Sequence, residues 1–191
     1  KENQRRLDRL KQACQEKIAE VLVPELEKKT GSALSDVGKW EIMLDPDDPD
    51  NQTVLFTYPS VIHHGKSSYF QPVVKIELGA RSDHWPVEIM SVKPYVANAA
   101  GKVTIEGTPV RVLGAERTFW EKATILHAVN HGSKLRTRMS RHYYDLGEMV
   151  DSPIYVKAIQ NIDLLIKVAE HKALFFKDSK AHYDLAKPGS L

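Results

Sequence analysis

Apolar residues stand at Leu7, Leu10, Cys14, Ile18, Val21 and Leu22 along an otherwise very polar opening stretch. Steps of three and four put them on one face of a helix over 3–22. Pro24 suits the first turn of a second, short helix, and Gly31 suits its end. Residues 39–44 (KWEIML) read as a strand, followed by the acidic, turn-rich DPDDPDN. Between 53 and 113 five runs separated by turn residues read as strands: TVLFTYPS, PVVKIELGA, VEIMSVKPY, KVTIEG and PVRVLG. At Ala115 the period becomes helical. One helix is predicted over 115–131 and stopped by Gly132, then a basic connector, a helix over 141–150 and a longer one over 154–175. A helix, then strands, then helices is an α+β order rather than an alternating βαβ one. The change of period divides the chain into 1–113, one helix plus strands, and 114–191, a helical region.

Composition narrows the class. The 191 residues are 42% hydrophobic and 27% charged with a net charge of +2, enough for one substantial core. No apolar run is long enough to span a bilayer, and no secretory apolar region stands near the N-terminus. A single cysteine, Cys14, excludes an intramolecular disulfide and fits a reducing compartment, so a cytoplasmic location is expected. The charge is too balanced to announce a nucleic-acid binder, so any basic patch must be local.

Five features are candidates for chemistry. Glu77 lies in the strand VVKIELGA, on the face of Val73 and Lys75 and opposite Val74, Ile76 and Leu78. Local sequence favours a solvent-facing carboxylate there. Lys122 falls on the apparent apolar stripe Phe119, Ala123, Leu126 and Val129 or Asn130 of the helix AERTFWEKATILHAVNH. A lysine so placed must snorkel, pair with a carboxylate or bind an anion. The connector SKLRTRMSRHYYDL gathers Lys134, Arg136, Arg138 and Arg141 beside Tyr143 and Tyr144. Such a run is ordinarily solvated surface, yet cations with aromatics also suit nucleic-acid phosphates and bases. His127 and His131 are four apart, a zinc-compatible spacing, but no glutamate or third ligand accompanies them, and a structural role is expected. DPDDPDN lacks the spaced ligands and glycine of a calcium loop and reads as solvated.

Taken in order, VVKIELGARSD, VLGAERTFWEKATILHA and RHYYDL resemble the AbiEii family, as does the tail HKALFFKDSKAHYDLAKPGSL. These are nucleotidyltransferase toxins of type IV toxin–antitoxin and abortive-infection (phage defence) systems, related to polymerase β. The resemblance runs from about Thr53 onward. It implies a nucleotidyltransferase-like mixed β-sheet with a helical C-terminal half. It also implies transfer of a nucleotide from an NTP to an RNA acceptor, the 3′ end of tRNA, with a cognate antitoxin as partner. Glu77 would then be the lone third carboxylate of a metal-binding set, orienting Mg2+ or Mn2+ or deprotonating the attacking hydroxyl. Lys122 would contact the triphosphate, Asp145 would orient Lys122 or move a proton, and all three would converge on one open cleft. Arg136, Arg138 and Arg141 would border it and guide RNA.

One departure stands out. The family's first motif, a Gly-Ser or Gly-Thr turn before a strand with two carboxylates, has no counterpart: Gly31-Ser32 leads to Asp36 but to no Asp-x-Asp strand. The chain opens in mid-helix without methionine, so the expectation is a piece of a longer protein. It would hold no bound metal and transfer poorly, while the full-length protein would use Mg2+ or Mn2+. The competing reading is a non-catalytic RNA- or partner-binding module built on the basic run.

Overall fold

The computed structural model describes residues 2–61, 71–98, 104–132 and 137–191. It divides into two compact units, Lys1–Ser82 and Asp83–Leu191.

In the first unit α1 (Glu2–Lys17) passes through a π-helical turn (Ile18–Leu22) into α2 (Val23–Ala33). Pro24 stands in the first turn of α2, as expected; it lacks an N–H and its ring crowds the carbonyl one turn back, and the wider π turn that joins α1 to α2 absorbs that crowding. One expectation changes: Gly31 does not end the helix, which runs on to Ala33, with Gly31 facing the Trp40 ring.

β1 (Glu41–Leu44), β2 (Thr53–Thr57) and β3 (Val73–Glu77) form an antiparallel sheet in the order β1-β2-β3. The register places Glu77 opposite Thr53 and Ile76 opposite Val54. Ile18, Ile42 and Val54 make the core of this unit, with Ile76 and Leu78 packed on it. The strand parity read from the sequence therefore holds, and Glu77 points away from that core. The acidic loop between β1 and β2 is tied by its own carboxylates. Asp45 Oδ1 accepts from the Asp47 N–H, and Asp48 accepts from the N–H groups of Asp50 and Gln52.

In the second unit β4 (Val87–Val92) and β5 (Thr108–Leu113) pair antiparallel, with Val87 opposite Leu113 and Val92 opposite Thr108. The strands thus form two small antiparallel sheets within a mixed α+β fold. KVTIEG adds none among the described residues. Its continuation of the ladder would need residues beyond Val92 as partners, but Pro94 lacks a donor and Tyr95–Asn98 forms a 3-10 turn.

α3 (Ala115–His131), α4 (Ser140–Val150), α5 (Pro153–Gln160) and α6 (Ile162–Phe175) complete the unit. The single helix expected over 154–175 is two, because Asn161 leaves helical geometry at φ −121° and ψ 64°. Phe119, Trp120, Ala123, Ala158, Leu164, Leu165 and Val168 form the core, and Trp120 donates its indole N–H to the Ala158 carbonyl at 3.2 Å. Arg117, fully buried, fastens the start of α3: Nη1 donates to the Trp85 carbonyl at 2.7 Å and meets Asp83 at 3.0 Å, and Nε donates to Glu121 at 2.9 Å.

Candidate functional site

The buried positions of α3 are Arg117, Phe119, Trp120, Ala123, Thr124 and His127. The core face is therefore turned from the stripe expected through Leu126 and Val129, which are only half-buried. Lys122 lies at the border of that face, with 19% of its side chain exposed. Of the three outcomes open to it, the structure shows pairing: Lys122 Nζ donates to Asp145 Oδ2 at 2.7 Å. Asp145 reaches it from α4, held in place because the neighbouring Leu146 and Met149 pack on the core.

The electrostatics follow from that contact. The hydrogen bond from Lys122 holds the Asp145 carboxyl below its ordinary pKa, so the carboxylate stays charged and the ammonium stays oriented. One turn before Asp145, the pKa of His142 is lowered too: burial lowers it, and the charge of Lys122 adds to the effect. Its Nδ1 is buried without a partner. Lys122 is thus a half-buried ammonium fixed by one carboxylate, with His142 one turn before that carboxylate.

Arg138 and Arg141 flank the start of α4. Both are exposed, and Arg138 adopts a left-handed φ of 65°. Tyr143 and Tyr144 are exposed beside them. Arg136 lies outside the described residues.

Glu77 belongs to the first unit. Its side chain is 75% exposed, and its carboxylate lies 3.9 Å from Lys75 Nζ. Lys75 itself binds the buried Asp45 at 2.9 Å; that hydrogen bond lowers the pKa of Asp45 and raises that of Lys75. Asp48 is held low chiefly by a hydrogen bond from the Thr53 side chain. Enzymes that move nucleotidyl groups commonly use divalent cations. Here the nearby carboxylates already have partners, and no group of three His, Cys, Asp or Glu among the described residues could hold a metal ion. The described residues therefore do not make a cation site. His127 serves structure instead: its Nε2 lies 3.0 Å from the His182 carbonyl, and its ring is 4.4 Å from that of His131.

Arg117 and His142 were not singled out from the sequence. Glu121, four residues after Arg117, is the only local sign of that ion pair. Nothing local marks His142, because its burial comes from tertiary packing.

The structure is a mixed α+β fold with a lysine–aspartate pair joining two helices of its C-terminal half. A family model described as the nucleotidyl transferase AbiEii toxin of type IV toxin–antitoxin systems matches residues 1–188. The chain belongs to that family, and membership implies a nucleotide substrate and an antitoxin partner. No curated protein matches it, and no solved structure does. Among the described residues no helix is long and apolar enough to cross a membrane.

Proposed function

We propose that the protein transfers a nucleotide from an NTP to the 3′ end of an RNA, that of tRNA, in the cytoplasm. The observation that supports this reading is the 2.7 Å Lys122–Asp145 pair at the border of the α3 core, in a chain of a nucleotidyltransferase family. In the reaction an acceptor hydroxyl oxygen attacks the α-phosphorus in line, a P–O bond forms, and the bond to the β-phosphate breaks to release pyrophosphate. Lys122 neutralises charge on the leaving pyrophosphate, while Asp145 positions its ammonium. Glu77 accepts the proton of the attacking hydroxyl. Arg138 and Arg141, with Arg136, guide the RNA backbone.

Two measurements test this: NTP binding, and incorporation of radiolabelled NTP into bulk tRNA with Mg2+ or Mn2+ supplied. Lys122→Ala is expected to lose both, and Asp145→Ala to lose most incorporation, with circular dichroism unchanged. Glu77→Gln is expected to bind NTP normally and transfer poorly. Neutralising Arg136, Arg138 and Arg141 together is expected to weaken RNA binding and flatten its salt dependence. NTP binding indifferent to Lys122, with RNA binding intact, would favour the non-catalytic binding module.

A further inference from the structure

A cleft of about 780 Å³ opens in the helical unit between the C-terminal half of α3 and the end of α6 with the tail beyond it. Its floor includes Ile125, Val129 and Met139, its aromatic wall is Phe176 and Tyr183, and Lys172, Lys177 and Lys180 supply its cations. The volume lies in the range of sites that hold small organic ligands. Asp178 is the lone carboxylate among the lining residues, and one of its oxygens accepts the Lys180 backbone N–H at 2.9 Å.

Three observations point to one kind of ligand. Lys172 Nζ stands 5.8 Å from the centre of the Phe176 ring, so a cation and an exposed aromatic face adjoin. Burial lowers the pKa of Lys172, and the nearby Glu121 offsets that only in part. Ile125 and Val129 follow Lys122 by three and seven residues, so the cleft continues along the side of α3 that carries the Lys122–Asp145 pair. His142, near the start of α4, feels the charges of both Lys122 and Lys172. The chemistry is that of an aromatic base with phosphate attached.

We infer that this cleft holds the 3′-terminal nucleotides of single-stranded RNA, a base against Phe176 and Tyr183 and the backbone phosphates on Lys172, Lys177 and Lys180. This rests on the transfer reaction proposed above. If Lys122 engages the NTP, the acceptor needs a separate seat close by, and this one lies further along the same helix. Exposed Lys177 and Lys180 at the rim let a longer strand leave.

The test measures binding rather than transfer. A fluorescent short oligoribonucleotide with a free 3′-hydroxyl is titrated into the whole chain and its variants over a range of salt. Lys177→Glu with Lys180→Glu, both exposed, should weaken its binding roughly tenfold or more. The slope of log affinity on log salt should fall by about 0.7 for each phosphate that is no longer neutralised. Phe176→Ala should cost roughly tenfold through weaker stacking. Unaltered RNA affinity in both the lysine and Phe176 variants overturns the inference. So does a free NTP that competes with the oligonucleotide and weakens in parallel with it, which would make the cleft an NTP seat. NTP binding that ignores Lys122 defeats the proposed reaction instead, and leaves the oligonucleotide result to stand or fall by itself.

Discussion

Lys122 and Asp145 are 23 residues apart in sequence and meet through one hydrogen bond. The local helical pattern marked Lys122 as a lysine that must snorkel, pair or bind an anion, but not which partner it takes; Asp145 was legible only as part of a motif order that resembles a family. His142 beside them makes the site sensitive to acid in a way whose sign can be worked out. Its folded pKa lies below the ordinary value of 6.5, so the unfolded chain takes the proton more readily. Stability is therefore complete above about pH 6.5 and falls as the pH drops below it. Asp145 adds a loss at lower pH, beginning near its ordinary value of about 3.9 and complete only below its depressed folded one. Thermal unfolding followed from about pH 7 to about pH 5 should show the midpoint falling, and His142→Gln should flatten part of that fall. His171, whose pKa burial also lowers, should retain the remainder. An identical pH profile in the variant would mean that His142 protonates as freely in the fold as outside it.

Among the elements, α3 was the most legible. Its period is helical from Ala115, and Gly132 ends it where expected because glycine pays heavily in entropy to continue a helix. The break at Asn161 was not legible: asparagine is only mildly unfavourable in a helix, and the apolar spacing runs through it. The buried face of α3 differs from the expected one for a related reason. Period shows that a stripe exists, but Arg117, Thr124 and His127 are polar residues buried by their partners, which no hydrophobic pattern records. The packing of α6 provides the check at this scale. Leu164 is wholly buried, whereas Ile166 two residues on is 42% exposed. Leu164→Ala should lose about 2–5 kcal/mol in denaturant unfolding, and Ile166→Ala less than about 1 kcal/mol. Equal losses would place the core on a different face of α6.

At the scale of the whole molecule, each unit has a core of its own, Ile18, Ile42 and Val54 in one and the Phe119 to Val168 group in the other. The order of elements revealed the α+β class. The division into units was hidden, because it depends on which strands pair, and the consecutive strands β3 and β4 join different sheets. The end of the chain belongs to this scale too. Ala181 and Ala186 are buried, and the His182 carbonyl takes a bond from His127, so the tail is clasped to the helices and carries Tyr183 into the cleft wall. Lys177 and Lys180 border that clasp, and both are residues after which trypsin cuts. The tail can thus serve as a built-in footprint of occupancy. The short oligoribonucleotide should slow cleavage after Lys177 and Lys180 while Lys28 and Lys29, on α2, are cut at their usual rate. Mass spectrometry of a timed digest reads both at once, and equal protection at the two places would show the RNA lying elsewhere.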